Sequence, residues 1–161
     1  MKFAFSSLLA ATVFSLVFTS CKTGSNREGL TYFDDVRYYH LNLDNAVETP
    51  DPMMRFEQQH YLHGAVTGEE RKAREGHYYT LWWNTEDTST PATVRFEYRQ
   101  KETGPLVHVI EVPIDRISSR NKTRITVTGD AYQTNGKVTA WRAQLLRNGE
   151  IVSEEKSYLW N

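Results

Sequence analysis

From His77 onward, apolar and polar residues take turns along the chain, and this period of two constrains the fold more than any other feature. Successive side chains of a strand point to opposite faces, so sustained alternation means a strand with one buried and one wet face. Residues 93–100 alternate most cleanly, with Val94, Phe96 and Tyr98 on one side and Thr93, Arg95, Glu97 and Arg99 on the other. In residues 77–84, Tyr79, Leu81 and Trp83 share one face while Tyr78, Thr80 and Trp82 share the other. Residues 122–131 set Ile125, Val127 and Ala131 against Lys122, Arg124, Thr126 and Thr128. A further strand is expected at 107–114, after the Gly104-Pro105 turn. Two more, at 138–147 and 151–160, flank Asn148-Gly149, a strong short hairpin signal.

Register arithmetic separates the loops. A two-residue turn at Asn148-Gly149 pairs Arg147 with Glu150, Leu145 with Val152 and Thr139 with Tyr158, which are compatible neighbours. The same rule at Asn135-Gly136 would set Val127 beside Gln144 and Gly129 beside Arg142, an apolar face against a polar one. That loop is therefore expected to cross to a second sheet. Upstream, residues 36–43 alternate only in part and read as an edge strand. Thr49-Pro50-Asp51-Pro52 reads as a stop, and residues 56–66 as another strand. The charged stretch 68–76 is expected to be an exposed loop or one or two helical turns. The whole predicts an all-β fold, a two-sheet antiparallel sandwich of about seven strands with no long helix. Residues 60–160 resemble an immunoglobulin or fibronectin type III sandwich in pattern, without the paired cysteines of true immunoglobulin domains. Such a fold carries no function with it.

The first 21 residues bear on location. Lys2 is followed by an apolar stretch over residues 3–17, diluted by serines and a threonine, and small residues then lead to Cys21. An apolar segment this short at the N-terminus is a signal-peptide core rather than a span, which needs about 20 apolar residues. Phe18-Thr19-Ser20-Cys21 resembles the lipobox of bacterial lipoproteins, with Phe18 where that family usually has Leu. The resemblance implies cleavage before Cys21, acylation of its sulfur, and partnership with a membrane through that anchor. If the host is a Gram-negative bacterium, Lys22, rather than Asp, after the cysteine implies sorting to the outer membrane. The alternative is an ordinary secretory leader with Cys21 an incidental thiol. Against this, Cys21 is the only cysteine of the chain, and an unpaired thiol is a liability in an oxidising compartment. The expected organisation is a cleaved signal peptide at 1–20, the lipidated cysteine and a polar tether at 21–30, an N-terminal segment packing on the domain at 31–55, and the sandwich at 56–161.

Removal of residues 1–20 would leave 141 residues, enough for one domain, with 18 basic residues against 20 acidic. Lys and Arg are scattered, so no nucleic-acid partner is expected. Among candidate chemistries, His60 and His63 have a spacing that suits one helix face. On a strand they diverge, and no glutamate completes a zinc-protease motif. The acidic pairs Asp34-Asp35, Glu69-Glu70 and Glu154-Glu155 read as solvated surface, and Asn121-Lys122-Thr123 matches a glycosylation sequon. No nucleophile elbow or phosphate loop occurs, and no cofactor or metal is implied.

The aromatics carry the one functional thought. If Trp83 faces the core with Leu81 and Tyr79, Trp82 and Tyr78 fall on the outer face, where a ring can stack on a sugar or anchor a partner. A loop or the aromatic N-terminal segment covering them is the plainer alternative. Two classes stay open. One is a non-catalytic, lipid-anchored binding or structural module of the cell envelope, meeting an envelope protein or a glycan. The other is a small envelope hydrolase acting on glycans or peptides.

Overall fold

The computed structural model describes residues 31–43 and 51–161, which form seven strands and three short helices. The leader, Cys21 and the tether lie outside the described residues. The strands are β1 (Thr31–Leu41), β2 (Gly76–Thr85), β3 (Ala92–Gln100), β4 (His108–Ile114), β5 (Arg120–Thr128), β6 (Val138–Arg147) and β7 (Glu150–Lys156). They build two antiparallel sheets, β1-β2-β5 and β4-β3-β6-β7. A constant-type immunoglobulin sandwich carries its fourth strand on the sheet of strands one, two and five. Here β4 pairs with β3 instead, at the edge of the other sheet.

The alternating faces meet as the period of two requires. Leu81 and Trp83 of β2, Val94 and Phe96 of β3, Ile125 and Val127 of β5, and Leu145 of β6 form one buried cluster. Tyr79 from one sheet packs on Phe96 of the other, ring centroids 4.6 Å apart. Trp141 stacks on Phe96 at 5.9 Å. Polar plugs close the two ends of the core. At one end the buried Arg147 guanidinium donates to Thr85 Oγ1 (2.9 Å) across the sheets and to the carbonyl oxygens of Thr90 and Asp87 (both 2.8 Å). At the other end the Val138 N–H donates to His77 Nε2 at 3.1 Å.

Several expectations need correction. Residues 56–66 do not form a strand; α1 (Pro52–Leu62) occupies that stretch. Asp51-Pro52, read as part of a stop, is in fact a helix start. Asp51 accepts the Met53 N–H at 2.9 Å as N-cap, Pro52 takes the first turn where its missing donor costs nothing, and Glu57-Gln58-Gln59 are ready helix formers. Residues 68–76 carry α2 (Gly68–Ala73), opened by a capping box in which Glu70 N–H donates to Thr67 Oγ1 (3.1 Å) and Thr67 N–H to Glu70 Oε2 (2.9 Å). The strand expected at 122–131 ends at Thr128, and Ala131 lies in α3 (Asp130–Asn135), bracketed by Gly129 and Gly136 at positive φ. The crossing expected at Asn135-Gly136 does occur, because β5 and β6 belong to different sheets.

Two of the three register shifts bear on the expected pairings. In β1 the pairing shifts between Phe33 and Asp35, so Phe33 and Val36 both face inward although three residues apart. The shift lies ahead of residues 36–41, which pair in regular register, and β1 is an edge strand of the sandwich itself rather than a segment laid on it. In the final hairpin Arg147 pairs with Glu150, but a shift beyond Leu146 sets Leu145 opposite Ser153 instead of Val152. The Ser153 hydroxyl thereby reaches β1 and accepts the Phe33 N–H at 3.1 Å. β7 ends at Lys156, so the pairing of Thr139 with Tyr158 does not form. Beyond it Trp160 is buried under the guanidinium groups of Arg99 and Arg142, 4.6 and 5.1 Å from its ring.

Candidate functional site

The outer face of the three-stranded sheet is where the chain gathers unlike chemistries. Because β2 is its central strand, Tyr78, Thr80 and Trp82 run down the middle of that face. Register sets Tyr39 opposite Tyr78, Arg37 opposite Thr80 and Asp35 opposite Trp82 on the β1 side. On the β5 side it sets Thr126, Arg124 and Lys122 opposite the same three residues. Helix α1 leans over one end of this surface, and the two enclose a cleft of about 730 Å³. That volume lies within the range of small-ligand sites, about 300–1,000 Å³.

Tyr61 fixes the helix to the sheet. Its ring stacks on Tyr39 at 4.9 Å and on Tyr78 at 4.1 Å. Arg74 adds a clamp, donating to the carbonyl oxygens of Tyr61 (3.1 Å) and His63 (2.5 Å) at the C-terminal end of α1. Such a cation suits the exposed carbonyls of a helix end. The Tyr78 hydroxyl in turn donates to the Arg74 carbonyl oxygen at 2.5 Å. Tyr78 is therefore roofed by Tyr61, which is the covering alternative raised for it, although the cover is α1 rather than a loop. Burial raises the pKa of Tyr39, Tyr61 and Tyr78, and Glu57 adds to the effect on Tyr39 and Tyr61. All three hydroxyls stay protonated at neutral pH, and among the described residues those of Tyr39 and Tyr61 have no hydrogen-bond partner.

Trp82 lies at the other end of the face, half-buried. It is not a bare platform. The Arg37 guanidinium sits 5.0 Å from the ring centroid and the Lys122 ammonium 5.2 Å, within cation–π range. The indole thus holds two cations on the cleft wall. Arg37 is also paired with Asp35 at 2.7 Å. Lys122 and Arg124 have no ion pair among the described residues. Three cations, Arg37, Lys122 and Arg124, line the cleft against a single carboxylate, Glu57. At the mouth, Phe56 is 63% exposed, so its ring face is open to a ligand, whereas the Tyr38 ring lies on the inner side of β1 beside Tyr79.

Of the residues singled out from sequence, Trp82 and Tyr78 both line this cleft, and Trp83 is fully buried beneath it, donating its indole N–H to Thr123 Oγ1 at 3.1 Å. His60 lines the cleft from α1, while His63 is the C-cap of that helix and its carbonyl is taken by Arg74. Among the described residues no three His, Cys, Asp or Glu side chains come together to hold a metal. Of the carboxylate pairs, Asp35 is on this face, taken by Arg37, while the other two lie elsewhere: Glu70 caps α2, and Glu154 accepts from Gln144 at 2.8 Å. The Asn121 amide is folded into its own turn, bonding Ser118 through both its nitrogen and its oxygen. Sequence reasoning missed the wall formed by Phe56, Glu57 and Tyr61, having read it as strand; the cap and proline at Asp51-Pro52 were the signal. No family model, curated protein or solved structure matches the chain.

Proposed function

We propose that this protein is a non-catalytic binding module of the cell envelope, held on a membrane through an acylated Cys21, and that it takes its ligand in the cleft between α1 and the outer face of β1-β2-β5. One observation carries the reading: Trp82 gathers Arg37 and Lys122 onto the wall of a cleft of ligand size, with the open Phe56 ring at the mouth. Cations and aromatic rings facing one volume are recognition groups, and among the described residues neither Lys122 nor Arg124 makes an ion pair. Hydrolysis fits the cleft less well. Glycoside cleavage ordinarily needs two flanking carboxylates, and Glu57 is the only one lining it.

Anchoring and binding are tested separately. Cys21→Ser should move the full-length protein from the membrane fraction to the soluble envelope fraction or leave it unprocessed; unchanged fractionation with normal cleavage would overturn the anchor. For binding, the intact protein is screened on an array of neutral and charged glycans beside Trp82→Ala. Signal that the variant loses, with its melting temperature unchanged, supports the cleft. Signal that the variant keeps places the ligand elsewhere.

A further inference from the structure

We infer that the cleft takes an acidic glycan, a short run of sugar rings bearing carboxylate or phosphate groups. The inference rests on the binding reading above and goes further in naming the ligand chemistry. Charge is the first ground. Lys122, Arg124 and Arg37, the last already paired with Asp35, face a cavity whose one lining carboxylate is Glu57, and among the described residues Lys122 and Arg124 lack any carboxylate of their own. An anion entering the cleft supplies the missing partner, and an arginine fork matches a carboxylate or phosphate in two parallel hydrogen bonds. Register fixes Lys122 and Arg124 two residues apart on the same face of β5, with Arg37 across the sheet beside Thr80. The positive charge is thus spread along the floor, as a ligand with repeated acidic groups requires, instead of being focused on one point.

The rest of the lining argues for sugar rather than an acidic peptide. The Tyr39 and Tyr61 hydroxyls remain protonated and are unclaimed by any described residue, so they match hydroxyl-rich rings as donors and acceptors. Phe56 offers an open ring face at the mouth, suited to the apolar face of a pyranose. A protein partner of ordinary size needs about 800 Å² of surface from each side, more than a cleft of this kind offers.

The test compares ligands of matched size on the full-length protein at low salt: galactotriose, trigalacturonate, galactotriose phosphorylated at its 6-positions, and a tri-aspartate peptide. Binding is read by calorimetry and by tryptophan fluorescence. At least one of the two acidic sugars should bind tenfold or more tighter than galactotriose and than the peptide, and which one does so tells carboxylate from phosphate. The double variant Lys122→Gln/Arg124→Gln should abolish that preference with an unchanged melting temperature, since both side chains are exposed. Raising the salt to about 0.5 M should shrink it as well. If galactotriose binds as tightly as its acidic forms, the inference falls while the binding reading stands. Equal binding of the peptide means that charge alone is read, and also overturns the acidic-glycan assignment. If none of the four binds, the inference fails; an array signal lost in Trp82→Ala would still uphold the cleft as a site.

Discussion

Lowering the pH should destabilise this protein through His77, and the size of the effect follows from its surroundings. His77 is buried between the sheets, stacked on His40 at 4.1 Å, and its Nε2 accepts the Val138 N–H. The ring therefore carries its proton on Nδ1, which is buried without a partner. Burial is the main cause that pushes the His77 pKa down to about 3, with His40 and Lys137 adding to it. The folded state thus prefers neutral imidazole, while the unfolded chain takes up a proton near pH 6.5. Between those values the unfolded state binds more protons, so stability falls as the pH falls. Integrating the linkage from pH 7.5 gives a loss of about 2 kcal/mol at pH 5 and about 3 kcal/mol at pH 4. The pH 5 figure hardly changes if the folded pKa is nearer 4, because the unfolded value sets it. Carboxylates also titrate in acid, so the assay is a difference. Urea melts of the wild type and His77→Gln are compared at pH 7.5 and pH 5. The Gln amide oxygen can still accept from Val138 but takes no proton. The variant should begin less stable at pH 7.5 and lose about 2 kcal/mol less than the wild type on going to pH 5. Parallel losses in the two proteins would refute the reasoning, since His77 would then titrate alike in both states.

Trp83→Ala should cost about 3–5 kcal/mol through the cavity it leaves and the stranded Thr123 hydroxyl, whereas Trp82→Ala, half-buried on the outer face, should cost under about 1 kcal/mol. Equal losses in one thermal melt would mean that both rings are structural. Phe96→Ala should likewise cost about 3–5 kcal/mol, and Arg95→Ala, which loses only the surface pair with Glu111, under about 0.5 kcal/mol. Gly76→Ala should cost at least about 2 kcal/mol, because its φ is +142° and a Cβ would lie 2.1 Å from the Val127 carbonyl oxygen. Gly68→Ala, with open space around it, is the control; a Gly76→Ala melt as high as the control's would show that β2 and β5 separate there at little cost.

The legible part of the fold is the part where one physical rule acts alone. In β2, β3 and β5 one face packs against the other sheet and the other turns outward, so burial writes a period of two directly into the residues. Val94, Phe96, Leu81, Trp83, Ile125 and Val127 all lie in the core on the faces that the alternation assigned. The pattern fails where backbone geometry departs from the regular ladder. A bulge at Asp34 reverses the parity of β1, and the register shift before Leu145 moves Ser153 into the place of Val152. Neither is visible to a rule that counts in twos. Helix α1 escaped for a different reason. No residue of it is buried, so it carries no apolar stripe of helical period, and Phe56, Tyr61 and Leu62 mimic strand composition. Its start is written in capping chemistry instead, at Asp51 and Pro52.

The same division decides how much of the site was visible. Trp82 and Tyr78 share a strand, so the period of two put them on one face without knowledge of the tertiary fold. Their partners come from elsewhere in the chain: Arg37 from β1, Lys122 from β5 and Tyr61 from α1. Arg37 reaches Trp82 only because the bulge at Asp34 turns Asp35, Arg37 and Tyr39 to the outer face; a regular β1 continuing the parity of Phe33 would send Arg37 toward the core. The bulge at Asp34 is thus what brings the guanidinium to the indole. Tyr61 depends on α1 being a helix, since its ring descends between Tyr39 and Tyr78 from the last turn, beside the carbonyls that Arg74 holds. The cleft is therefore assembled from the irregular features of the chain upon its most regular strand. A homologue that kept the alternating core but lost the bulge at Asp34 or the cap at Asp51 would keep the sandwich and lose this site.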